Sequence, residues 1–275
     1  MIWNFSEQVV PNFCERKFFQ KIMEKLYYLD DNYNFIITNY DDNTLPLFQP
    51  DKKNIVIYIS DEYGIVKTWF NKVDLIFRTY PRKGNFDYIK IFPIPLGLVM
   101  PDFVTYEMEQ PKKKLSERKY DCFYSGQFSP NRIPFINSIK KSISGSNFNG
   151  IFRETNGFRT EFPIDDYFKI MNETKISFVP LGKVVPESFR YMESFESGCV
   201  VITDFPIHQN QDIWYYRDSP AIFISNYEQI NKRFIENILN NIDSYYEKNV
   251  NYYNNFLSTD AICKYITDTI NKKNI

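Results

Sequence analysis

Residues 175–206 read KISFVPLGKVVPESFRYMESFESGCVVITDFP. Lys175–Val179 is a short β-branched and aromatic run, the pattern of a buried strand. Pro180-Leu181-Gly182 turns the chain. Pro186 and Glu187 suit a helix start, and Ser188 can accept backbone N–H bonds as its cap. The spacing predicts a helix over Glu187–Ser197, then Gly198 and a second strand over Cys199–Thr203. A strand, a crossover helix and a second strand form the unit that joins parallel strands.

Outward from this segment the same alternation repeats. Upstream, Tyr120–Ser125 (YDCFYS) reads as a strand, Asn131–Ser144 as a helix, Asn149–Arg153 as a strand and Ile164–Asn172 as a helix. Ala221–Ile224 is a last short strand, and Tyr227–Asn274 reads as two or three helices. A first series precedes it. Residues 16–28 (RKFFQKIMEKLYY) carry helical spacing. Phe35–Thr38, Asn54–Ser60 (NIVIYIS), Asp74–Thr79 (DLIFRT) and Lys90–Pro93 read as strands, with a short helix over Tyr63–Asn71. The segment Glu107–Arg118 (EMEQPKKKLSER) has charge, proline and no periodicity, and reads as a linker. The expected architecture is α/β, with two parallel sheets covered by helices on both faces. The expected domains are 1–112 and 113–255, with a C-terminal helix over 256–275. Ligands of open α/β sheets bind at the carboxyl ends of strands. The loops after Ser60, Ser125, Val179 and Thr203 are therefore where function is sought.

Composition narrows the function. The chain has 275 residues, 33 basic and 34 acidic, for a net charge of −1. That balance offers no global attraction to nucleic acid. The four cysteines form no CxxC pair and there is one histidine, so no zinc site is expected. No apolar run approaches the length of a membrane span, and the N-terminus is not a signal peptide. A cytoplasmic location is expected, the host cytosol if a virus encodes the chain. Asp-x-Asp, GxxxxGK[ST], HExxH and GxSxG are all missing. A P-loop NTPase, a zinc protease and an α/β-hydrolase lose ground accordingly.

Five places could carry chemistry. Arg190 and Glu193, three apart, share a helical face beneath a helix N-terminus, where phosphate binds readily. An arginine can grip a diphosphate bidentately, and a carboxylate one turn deeper can accept ribose hydroxyls. The plainer alternative is an i,i+3 surface ion pair. Gly126, just past the strand Tyr120–Ser125, lets backbone approach a ligand. Arg132 heads the next helix and faces either a phosphate or solvent. Asp61 and Glu62 end the strongest strand of the first half, where a general base would sit or where acids simply favour a helix start. Pro95-Leu96-Gly97 reads as a turn lining the ligand side. Arg78 lies in an apolar run and needs a partner. His208 follows the strand Cys199–Thr203 in a loop.

These residues resemble the exostosin-like glycosyltransferases. PESFRYMESFESGCVVI has that family's Ser-x-Arg, two residues, Glu, then Gly-Cys and an apolar strand. KISFVPLG is similar to its strand–Pro–x–Gly feature. IYISDEYG, DLIFRTYP, FPIPLG and YDCFYSGQ…NR follow the order of one subgroup, most like the xylosyltransferase branch. The resemblance covers roughly Asn54–Pro206. It implies a GT-B fold, two Rossmann-like domains facing a cleft, with C-terminal helices crossing back to the first. It implies an inverting, metal-independent transfer from a UDP-sugar, with no cofactor, to a glycan hydroxyl. UDP-xylose is the favoured donor. The donor would be held by Gly126, Arg132, Pro180, Gly182, Ser188, Arg190 and Glu193. Asp61 or Glu62 would be the base, Asp61 first because it is nearest the strand end.

Overall fold

A computed structural model describes residues 2–3, 15–29, 31–39, 47–80, 90–99, 112–157, 161–184, 186–210 and 212–274. The chain divides into two units. One gathers residues 1–100, 213–215 and 254–275; the other holds 101–212 and 216–253.

The first unit carries a parallel five-stranded sheet. Its strands are β1 (Ile2–Trp3), β2 (Tyr33–Asn39), β3 (Lys53–Ile59), β4 (Leu75–Arg78) and β5 (Ile91–Pro93), lying side by side in chain order. Ile55–Ile59 are fully buried, as a central parallel strand requires. Helix α1 (Arg16–Leu26) turns Phe18, Phe19, Ile22, Met23 and Leu26 inward. No helix forms over Tyr63–Asn71. Residues 61–67 are loop, and only Thr68–Lys72 make a 3₁₀ turn, which buries Trp69 and Phe70.

The second unit carries β6 (Tyr120–Gln127), β7 (Gly150–Thr155), β8 (Thr174–Val179), β9 (Val200–Thr203) and β10 (Ile222–Phe223), all parallel, in the order β10-β9-β8-β6-β7. Helices α2 (Ile133–Ile143), α3 (Ile164–Asn172), α4 (Phe189–Glu196), α5 (Lys232–Asn240) and α6 (Asp243–Tyr252) accompany them. Phe135, Ile136 and Ile139 of α2 pack with Ile176, Phe178 and Ile202 on one face. Ser194 of α4 bonds Ser177 of β8 on the other, at 2.7 Å. The chain leaves β6 for β7 on one side and returns to β8 on the other. That reversal opens a crevice at the carboxyl ends of β6 and β8.

One segment departs from expectation. Residues 112–118 are no linker: Lys112 pairs with buried Glu196 at 2.6 Å, Lys113 pairs with Glu173, and Arg118 is buried. Apolar periodicity misses them because charges hold them down. Residues 107–111 lie outside the described residues. The last helix, α7 (Thr259–Lys273), belongs to the first unit. Lys25 of α1 pairs with Asp260 at 2.5 Å, and Trp214 stacks on Tyr265 with centroids 4.3 Å apart. Trp214 also donates from Nε1 to the Pro93 carbonyl at 2.8 Å. Among the described residues no helix is long and apolar enough to cross a membrane.

Candidate functional site

The crevice at the reversal gathers most of the expected residues of the second unit. Strand β6 ends at Gly126-Gln127. Arg190, on the first turn of α4, reaches back over it and donates from Nη2 to the Ser125 carbonyl. Its guanidinium lies 5.3 Å from the Tyr124 ring centroid. Gly126 makes room for this. A Cβ there would stand 2.6 Å from Arg190 Nη2 and 2.9 Å from the Tyr124 hydroxyl. Arg190 Nε and Nη1 are buried and have no hydrogen-bond partner among the described residues.

Arg132 is the second cation. It is 6% exposed, so it does not face solvent. Its Nε donates to the Leu181 carbonyl at 2.7 Å and its Nη1 to the Gln127 carbonyl at 3.0 Å. Burial, then the neighbouring Arg190 charge, pulls its pKa below the ordinary arginine value. Two guanidiniums this close repel each other unless an anion joins them.

The Pro180-Leu181-Gly182 turn is pinned from several sides. Asn131 Nδ2 donates to the Gly182 carbonyl at 2.9 Å. Asp204, just past β9, accepts from Leu181 N at 2.7 Å and from the Tyr227 hydroxyl at 3.0 Å. Gly182 N donates to the Pro186 carbonyl at 2.9 Å, closing the loop before α4. Sequence reading passed over Asn131's partner and Asp204. An Asp just past a strand was the available signal.

Ser188 has the extended backbone of an N-cap but makes no side-chain cap bond, and α4 begins at Phe189, two residues later than expected. The Tyr191 N–H of the first turn donates instead to the Ser188 carbonyl at 3.0 Å. Glu193 is buried, and the Tyr167 hydroxyl donates to its Oε2 at 2.8 Å. Among the described residues no ion pair joins it to Arg190, so the i,i+3 surface pair does not form. The two side chains share a helix and serve different neighbours.

In the first unit Asp61 has a different place from the one expected. It is fully buried. Its carboxylate accepts from Tyr63 N at 3.0 Å and Ile65 N at 2.6 Å, and it pairs with fully buried Arg78. Arg78 Nη1 also donates to the Ile65 carbonyl at 3.2 Å. A carboxylate enclosed in this way holds a loop and is closed to an acceptor hydroxyl. Glu62 beside it is half-buried. The exposed tip of the loop carries Tyr63, Ile65 and Val66. Gly97 serves packing: its φ is +89°, and a Cβ there would press Phe18 at 2.8 Å. His208 falls in the turn Ile207–Gln209, with its side chain outside the described residues.

No family model matches the chain, and no curated protein does. Solved structures do. TarM matches with a TM-score of 0.51 at 13% identity, over 90% of this chain and 57% of that one. A mutant of S. aureus TarM, in complex with fondaparinux, α-GlcNAc-glycerol and UDP, matches at 0.52 and 12%, over 90% and 58%. AviGT4, a glycosyltransferase involved in avilamycin A biosynthesis, matches at 0.51 and 9%, over 93% and 88%. The fold is GT-B. The chain spans somewhat over half the length of TarM, and at these identities the likeness concerns the fold alone.

Proposed function

We propose that the chain is a glycosyltransferase that takes its sugar from a nucleoside-diphosphate donor held by the second unit. One observation carries the reading. Arg190 and Arg132 lie together at the carboxyl ends of β6 and β8; among the described residues neither makes an ion pair with a carboxylate, Asp204 acting on Arg132 by charge alone, and Arg190 keeps two buried N–H-bearing nitrogens unpartnered. Buried guanidinium N–H groups without an acceptor are costly, and a diphosphate would satisfy them. The N-terminus of α4 adds the positive end of a helix dipole. Glu193 is the ribose ligand, and Pro180 to Gly182 shape the rim. UDP in the TarM complex supports a uridine donor.

The finer reading follows the exostosin-like motifs: an inverting transfer, without metal or cofactor, to a glycan hydroxyl, with xylose the favoured sugar. The acceptor oxygen attacks the anomeric carbon, the bond from that carbon to the diphosphate breaks, and a carboxylate takes the acceptor's proton. The enclosure of Asp61 passes that role to Glu62. The two arginines supply the positive charge that a metal supplies elsewhere to a leaving diphosphate.

The test is a screen of UDP- and GDP-sugars in the presence of chelator, following thermal stabilisation and slow donor hydrolysis together. One UDP-sugar that stabilises the protein and is hydrolysed is the expected result. Stabilisation by none of them overturns the reading. Hydrolysis that depends on a divalent cation overturns its metal-independent part, and a product of retained configuration overturns inversion.

A further inference from the structure

The two arginines leave one neighbour unexplained. Tyr124 is 1% exposed, and its hydroxyl has no hydrogen-bond partner. Its ring is part of the core with Phe135, Ile176 and Phe178. Tyr124 and Gly126 stand two apart on one strand and so share a face. The missing side chain of Gly126 leaves the room into which the phenol and the Arg190 guanidinium both project, 2.9 Å and 2.6 Å from where a Cβ would be.

The carboxylate in register with Gly126, Glu154 of β7, acts on the phenol by charge but is paired with Lys140. A guanidinium has donors and no acceptor, so neither arginine can take the phenolic proton. The Ser125 carbonyl already accepts from Arg190. Arg132 stands beside the phenol and can only donate toward it. Arg190 Nε, Arg190 Nη1 and the Tyr124 hydroxyl are thus three buried donors around one glycine, all short of an acceptor. Burial raises the phenol's pKa despite the two arginines, which lower it. The group therefore keeps its proton at neutral pH and can donate it.

We propose that Tyr124 is a third ligand of the diphosphate, its hydroxyl donating to a phosphate oxygen beside Arg190. The bond strengthens as the sugar departs and charge gathers on that oxygen. This assignment rests on the donor-site reading above, and the experiment separates the two.

Tyr124→Phe removes one oxygen and leaves the ring under Arg190. Binding of UDP, inorganic pyrophosphate and uridine to the wild type and to Y124F is measured by calorimetry, and the melting temperature of each free protein is recorded. UDP and pyrophosphate are expected to bind about tenfold more weakly to Y124F, as for the loss of one hydrogen bond to a charged group. Uridine should bind the two proteins equally. The free Y124F protein should melt no lower than wild type, because the hydroxyl it loses has no partner to lose. Equal affinity of both proteins for UDP and pyrophosphate overturns the assignment. So does a parallel loss of uridine binding, or a lowered melting temperature with anion binding intact. Wild-type protein that binds pyrophosphate but not UDP, with Y124F weaker, upholds Tyr124 and overturns the nucleotide reading. Wild-type protein that binds neither overturns both.

Discussion

Two arginines meet the carboxyl ends of parallel strands in this protein, Arg78 fully buried and Arg190 half-buried, and they do opposite things. Arg78 meets a carboxylate, Asp61, as deeply buried as itself, and the pair ties the loop 61–65 through two backbone N–H groups and one carbonyl. Ser60 and Tyr80, at the ends of the same two strands, hold positive φ angles of 58° and 51°. Such angles persist where surroundings over-determine them. Among the described residues Arg190 meets a carbonyl, an aromatic face and a second arginine, and no carboxylate. A buried cation with its counter-charge is architecture. A guanidinium whose nitrogens lack an acceptor is where the proposed diphosphate would bind. The sheet orders agree: the described strands of the first unit run in chain order, whereas the second sheet reverses between β6 and β8.

The sharpest way to break this contrast is to remove each arginine. Arg78→Ala strands a buried carboxylate and should cost about 3–5 kcal/mol of stability in urea unfolding; a loss under about 1 kcal/mol would put Arg78 in the same class as Arg190. Arg190→Ala should instead leave the melting temperature level or raised while UDP affinity falls about thirtyfold or more, read by calorimetry. A variant that melts early and binds normally erases the distinction. Gly126→Ala places a Cβ 2.6 Å from Arg190 Nη2 and should weaken UDP binding about tenfold, from strain of order 1–3 kcal/mol. Equal binding would show that Arg190 has room to move. The smallest effect concerns pH. Burial raises the Asp204 pKa against the bonds from Leu181 and Tyr227. Its contribution to stability is therefore complete below the unfolded carboxylate value of about 4 and is lost as pH rises through the folded value. Asp204→Asn keeps an acceptor for Leu181 N and should flatten that slope in melting temperature against pH. An unchanged slope would assign it to other groups.

Much of this was legible in the residues. The alternation of β-branched runs with amphipathic stretches declared two parallel sheets, because a strand covered on both faces has to be apolar throughout. Lys175–Thr203 declared its strand, turn, helix and strand, and Gly126, Arg132 and Arg190 were singled out before any geometry. Asp61 was misjudged because its burial depends on Arg78, seventeen residues on in the neighbouring strand. Spacing shows that a carboxylate ends a strand and is silent on whether a cation from the next strand seals it. Lys112 and Lys113 were misread as linker for the same reason, their partners Glu196 and Glu173 lying far along the chain.

Hydrophobic period and turn chemistry are local properties, and by themselves they determined the fold class, the strands and the ends at which a ligand would sit. Which charges are satisfied is decided between distant segments. Only the tertiary structure paired Arg78 with Asp61, turned Glu193 to Tyr167, drew Trp214 onto Tyr265, and set Tyr124 and Arg190 together over Gly126 without an acceptor. Electrostatic balance in a buried place is a sum over neighbours in space, and those neighbours are set by the packing of strands and helices far apart in the chain.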